Sequence, residues 1–139
     1  MIILDTNVLS TLMLAKPDTA VVAWLDEQPQ DSIWITSVTL FEARLGMELL
    51  PKGKRRQLLE ASFSQLLEQD LDNRVLEFDT FAALKASILA ADRRRAGKPV
   101  DVRDTLIAGI ALARHAVVAT RNVRHFDDPG ITVVNPWNS

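Results

Sequence analysis

Ile2-Ile3-Leu4 is an apolar run without polar alternation, which predicts a short strand covered on both faces. It stops at Asp5-Thr6-Asn7, three residues that cap helices well, so the strand should feed a helix. From there to about Leu14 the apolar positions keep helical spacing. Pro17-Asp18 opens a second helix through Val21, Val22, Trp24 and Leu25, and Pro29 closes it. Ser32-Ile33-Trp34-Ile35-Thr36 reads as another buried strand, followed by a helix from about Ser37 to Leu50. After Pro51-Lys52-Gly53 comes a helix with Leu58, Leu59, Phe63, Leu66 and Leu67 apolar, then a strand-like Val75-Leu76-Glu77-Phe78. Asp79-Thr80 can cap a helix running to about Ala96, which Gly97-Lys98-Pro99 breaks, and a very apolar helix spans roughly Val102 to Arg114. Val117-Val118-Ala119-Thr120 and Ile131-Thr132-Val133-Val134 complete five strands. Strands alternating with helices select an α/β fold with a mostly parallel sheet between helical layers, because parallel neighbours need crossover connections. No repeat, low-complexity tract or linker interrupts the 139 residues, which are expected to form one domain.

Composition narrows the chemistry. A chain of this length buries roughly two-thirds of its unfolded surface and needs no staple. With no cysteine, disulfide frameworks, thiolate zinc sites and cysteine nucleophiles are excluded. The two histidines, His115 and His125, are too few for a histidine-rich metal site, so any metal would be oxygen-bound. No run approaches the roughly 18 apolar residues of a membrane span, and MIILDTN lacks the sections of a signal peptide, so a cytoplasmic protein is expected. The net charge of −2 hides basic clusters at Lys52–Arg56, at Arg93, Arg94, Arg95 and Lys98, and at Arg121 and Arg124.

Acids on apolar faces carry the functional signal. Asp5 follows the first strand directly, and the carboxyl ends of strands near a reversal of strand order form the ligand crevice of an open parallel sheet. The plainer reading is a helix cap. Glu42 shares a helix face with Val38, Leu45, Gly46 and Leu49, where a carboxylate must be paired, hydrogen-bonded or bound to a cation. Arg44 points about 160° away and is a poor partner, which leaves an ion pair with a distant arginine as the structural alternative. Asp104 aligns with Ile107, Ala108 and Ala111; Asp101 is read as the helix cap and Asp104 as a site residue. Thr120-Arg121-Asn122 ends its strand as Asp5-Thr6-Asn7 ends the first, and Asp127 and Asp128 are read as part of the turn at Pro129-Gly130.

With these residues in view the chain resembles PIN-domain nucleases of the VapC type, and within them the FitB/StbB-like toxins and plasmid-stability proteins. The segments that carry the resemblance are Ile-Leu-Asp-Thr-Asn-Val-Leu-Ser at the start, Val-Val-Ala-Trp-Leu at 21–25, Phe-Glu-Ala-Arg-Leu-Gly at 41–46, Asp-Thr-Leu-Ile-Ala-Gly-Ile-Ala at 104–111, Ala-Thr-Arg-Asn-Val at 119–123 and Val-Asn-Pro-Trp-Asn near the end. Their order and spacing cover nearly the whole chain.

The resemblance implies a PIN-like α/β/α sandwich on a central, mostly parallel five-stranded sheet. It implies a magnesium or manganese pocket at Asp5, Glu42 and Asp104, lined by Thr6, Ser37 and Thr120. Many members place a fourth acid where this chain has Asn122, so the second metal position is expected to be weaker. It further implies the toxin of a type II toxin–antitoxin system that cleaves RNA, a homodimer, and a cognate VapB/FitA-type antitoxin that pushes a basic side chain into the acidic pocket. Arg93, Arg94, Arg95, Lys98, Arg121 and Arg124 are candidate phosphate contacts, against the reading of the arginine run as a solvated helix end. Lys52–Arg56 is read as an exposed face. Aromatic residues are 6% of the chain and tyrosine is absent, so no base-stacking platform is evident. Trp24, Trp34 and Trp137 suit the core better than a partner surface. Two other classes compete: a PIN-fold binding module weakened by Asn122, and a phosphatase-like hydrolase, which would want a second carboxylate in the Asp5-Thr6-Asn7 loop.

Overall fold

Strand β1 (Ile2–Leu4) lies at the centre of a five-stranded sheet ordered β3-β2-β1-β4-β5. A computed structural model describes residues 1–98 and 101–138 of the chain. The other strands are β2 (Ile33–Thr36), β3 (Val75–Leu76), β4 (Val117–Ala119) and β5 (Thr132–Val134), and every pairing among them is parallel. The chain builds outward from β1 through β2 to β3, then returns to add β4 on the other side of β1. The strand order therefore reverses between β1 and β4, and the crevice at a reversal opens at the strands' carboxyl ends.

Alternation along each strand divides the core between the two sheet faces. Ile3 and its register partner Val118 face helices α5 (Thr80–Arg95) and α6 (Val102–Arg114), with Leu89, Ile107, Ile110 and Phe126. Leu4 and its partner Ala119 face α1 (Thr6–Leu12), α2 (Thr19–Asp26) and α4 (Lys54–Gln65), with Val8, Val21, Trp24 and Phe63. Helix α3 (Ser37–Glu48) crosses the edge between the layers, lending Val38 to one core and Met47 to the other. Each cap foreseen at Asp18, Asp79 and Asp101 accepts a backbone N–H of its own helix.

The elements are shorter than the sequence pattern proposes. Helix α1 stops at Leu12, because Leu14 has no core to face and is exposed. After α4 the chain widens into a π turn (Leu66–Asp70), closed by Leu71 N–H donating to the Leu66 carbonyl at 2.9 Å. Helix α5 ends with Gly97 in the left-handed region at φ 68°, a conformation that suits glycine. Pro99, the expected breaker, lies outside the described residues.

Helices α5 and α6 press together at Gly109, where a Cβ would stand 2.6 Å from the Ala82 carbonyl oxygen and 2.6 Å from the Ala86 Cβ. Only glycine fits there. At the far end of α5 the structure corrects the reading of Arg93, which is neither solvated nor offered to a phosphate: it is 4% exposed. Its guanidinium donates to Asp128, to Thr105 Oγ1 at 2.9 Å and to the His125 carbonyl at 2.8 Å. Asp128 is therefore an internal counter-ion as well as the turn residue expected, its carbonyl accepting from Ile131 N–H at 3.3 Å. One side chain ties the end of α5 to the first turn of α6 and to the loop after β4.

Removing one member of a buried ion pair leaves the other uncompensated, at a cost of about 3–5 kcal/mol. Arg93→Met is expected to lose that much in urea denaturation, while exposed Arg94→Met changes by less than about 0.5 kcal/mol. Equal effects at the two positions would remove the tie.

Candidate functional site

The ladder carries Asp5 to the floor of the crevice. Its N–H donates to the Ala119 carbonyl at 2.9 Å, while Thr120 N–H donates to the Val134 carbonyl at 2.9 Å, so the two residues after β1 and β4 stand side by side. Asp5 is 3% exposed and caps α1 through Oδ1, which accepts from Thr6 N–H at 2.8 Å. Its other oxygen accepts from Thr120 Oγ1 at 2.8 Å and Asn7 Nδ2 at 3.2 Å. The carboxylate expected at the site is thus also the helix cap. Burial pushes the Asp5 carboxyl above the ordinary range; the Thr120 and Thr6 hydrogen bonds pull it back, and the charge of Asp104 adds to the rise.

Two helices bring the other acids. From α3, Glu42 Oε1 accepts from Thr6 Oγ1 at 2.9 Å, and its Oε2 lies 3.4 Å from Arg103 Nη1. The distant arginine foreseen as the structural alternative is therefore present, in a half-exposed pair, while Arg44 pairs with Glu48 and Glu60. From the first turn of α6, Asp104 Oδ2 lies 2.7 Å from His125 Nδ1. Burial raises the Asp104 carboxyl, His125 opposes that, and the charges of Asp101 and Glu42 reinforce it. Asp5 feels the charge of Asp104, Asp104 feels that of Glu42, and Thr6 donates to both Asp5 and Glu42, through its N–H and its Oγ1.

The donors are all oxygen, the chemistry a hard divalent cation requires. As placed, no three acids or histidines among the described residues could hold an ion between them. The contacts of Glu42 with Arg103 and of Asp104 with His125 occupy carboxylate oxygens that a cation would use.

The remaining candidates divide. Thr6 and Thr120 join the acidic network, whereas Ser37 Oγ accepts from Phe78 N–H at 3.0 Å and fastens α3 to the chain beyond β3. Asn122 is exposed, its N–H donating to Thr120 Oγ1 at 3.0 Å. With Arg121, Val123, Arg124, His125 and Asn135 it lines a cleft of about 360 Å³. Arg121 lies over the Trp137 ring, 4.5 Å from its centroid. Arg94, Arg95 and Lys98 are exposed, with Arg95 paired to Asp92. Trp24 is buried and Trp34 packs against the core. In the basic run after Pro51, Arg56 is paired with Glu48 and Glu60.

Sequence reasoning passed over Asn7, Arg103 and His125. Asn7 bridges the two strand ends, donating to Asp5 and Thr120 and accepting from Arg121 N–H at 3.1 Å. Its place two residues after Asp5 was a legible signal; nothing in the local pattern marks His125.

The PIN domain family matches residues 2–130. The chain is 38% identical to the VapC ribonuclease Y4jK of Sinorhizobium fredii, over 99% of this chain and 98% of the relative. It is 33% identical to Toxin FitB of Neisseria gonorrhoeae, over 99% of both chains. The crystal structure of FitAcB from that bacterium superposes with a TM-score of 0.90 at 33% identity, covering 100% of each chain. The fold, the crevice at the strand reversal and full-length similarity together place this chain in the PIN-domain family, among its VapC and FitB relatives.

Proposed function

We propose that the chain is the toxin of a type II toxin–antitoxin pair, a single PIN domain acting in the cytoplasm as a magnesium- or manganese-dependent endoribonuclease. The observation that carries this reading is the approach of Asp5, Glu42 and Asp104 from three separate elements: Thr6 donates to both Asp5 and Glu42, and the charge of Asp104 raises the Asp5 carboxyl while that of Glu42 raises Asp104. A scaffold has no use for that repulsion. Similarity to a VapC ribonuclease and to Toxin FitB supports the same reading.

Asp5, Glu42 and Asp104 would hold the cation, with Asn122 as a neutral fourth oxygen at the rim. When bound, the metal supplies charge neutralisation at a phosphodiester and lowers the pKa of a water. Thr6, Asn7 and Thr120 orient Asp5 and Glu42 through the hydrogen bonds already made, while Arg103 and His125 would have to give way to the cation. Arg121 and Arg124, exposed beside the crevice, give the RNA backbone cationic footing. The contacts of Glu42 and Asp104 with Arg103 and His125 give the antitoxin a chemical precedent, since an inserted arginine would meet acids already suited to a basic partner. The same contacts favour a second reading, a binding module that no longer cuts, which predicts RNA binding without cleavage at any metal concentration.

The exposed side chains of Phe81, Leu84 and Ile88 form one stripe on α5, which we assign to the homodimer interface. Phe81→Asp is expected to halve the sedimenting mass with helical content unchanged; an unaltered mass would move the interface elsewhere.

Glu42→Gln and Asp104→Asn are each expected to reduce metal-dependent cleavage of a mixed RNA pool by about a hundredfold or more. Full activity in either variant removes that acid from the mechanism. A carboxyl whose proton affinity is raised by folding favours the fold while protonated, and that benefit is lost as pH rises through its folded value. Metal-free Asp104→Asn should therefore melt at or above the wild type at pH 7, the gap closing below pH about 3.9, where both side chains are neutral. Manganese should raise the wild-type melting temperature more than the variant's. A variant that melts well below wild type at pH 7 would make Asp104 a structural acid held by His125.

A further inference from the structure

The crevice has an aromatic neighbour on its rim. Phe41 precedes Glu42 on α3, so its side chain is turned about 100° from the carboxylate. Phe41 is 56% exposed, so its side chain stands at the surface rather than in the core. Arg103 precedes Asp104 on α6, and its Cζ lies 5.8 Å from the centroid of the Phe41 ring. The same guanidinium reaches Glu42 through Nη1 at 3.4 Å, and the Arg103 side chain is 44% exposed. Among the described residues it has no other side-chain hydrogen bond, so most of its five N–H groups remain for an incoming acceptor.

We propose that Phe41 and Arg103 form a nucleotide subsite that grips an unpaired base and its phosphate beside the scissile bond of a single-stranded RNA. The inference deepens the ribonuclease reading and rests on it. A base in a duplex has its faces covered by neighbours, whereas an unpaired base can stack on an aromatic ring. The Arg103 fork suits a phosphate geometrically, and its position between Glu42 and the ring offsets the repulsion that an acidic crevice exerts on a polyanion. Each residue is the chain neighbour of a proposed metal ligand, so a nucleotide held here is held next to the chemistry. A protein partner would ask for a broader apolar face, such as the one Phe81, Leu84 and Ile88 offer on α5.

The test uses the full chain and a short fluorescent single-stranded RNA. Cleavage is followed in manganese, and equilibrium binding is followed by anisotropy in EDTA. Stacking on one aromatic side chain corresponds to about a five- to hundredfold effect. Phe41→Leu, which keeps an apolar side chain but no π face, is expected to weaken binding within that range and to place its cleavage defect in KM. Phe41→Trp should restore both, with sedimentation unchanged throughout. Arg103→Gln should flatten the dependence of log Kd on log salt by about 0.7, the share of one phosphate contact on a single strand.

Wild-type affinity retained in Phe41→Leu overturns the subsite, as does an unchanged salt slope in Arg103→Gln. A Phe41→Leu defect that tracks dissociation into monomers also overturns it, and identifies the rim as a protein interface. A wild type that binds this RNA but never cuts it removes the ribonuclease reading alone, because the order of the variants in Kd still decides the subsite.

Discussion

A carboxylate has to sit at the bottom of a crevice in a parallel sheet, and the rest of the molecule is arranged around making that tolerable. Asp5 is almost fully enclosed, and such burial opposes its charge. It is held by hydrogen bonds from Thr6, Asn7 and Thr120, which come from both strands flanking the reversal. Those donors exist only because β1 and β4 are parallel neighbours whose ends are level, an arrangement that needs α5 and α6 as crossover connections. Topology and site chemistry are one constraint here.

Charge inside the protein is handled in two ways. Arg93 and Asp128 are enclosed and saturated with further hydrogen bonds, so their pairing fixes geometry. The pairs of Glu42 with Arg103 and Asp104 with His125 each have one half-exposed basic partner, in reach of water and of competing ions. The first kind belongs to the fold. The second is exchangeable, which is what the proposed trade of partners among cation, RNA and antitoxin requires.

Much of this was legible in the chain. The five strands, their parallel sense and the crevice position of Asp5 follow from apolar runs alternating with capped helices. Glu42 and Asp104 stand out because an acid on an apolar face needs a reason. Their partners did not stand out, since His125 and Arg103 meet them only through tertiary packing across 21 and 61 residues. Arg93 was concealed by its neighbours in a run of three arginines, yet it continues the spacing of Ala82, Ala86 and Leu89 on the buried face of α5. That periodicity was the better guide than the local charge. Exposed Phe41 was hidden by composition, because a low aromatic fraction says nothing about where one ring points.

The contact at Gly109 reaches beyond packing. With no room for a methyl group between them, and with Arg93 fastening their ends, α5 and α6 cannot slide past each other without breaking both restraints. Half of the crevice wall is consequently rigid. The loop that carries His125 is fastened to the same unit by Arg93, so any widening that admits a polymer chain must come from the opposite bank, where α3 carries Glu42.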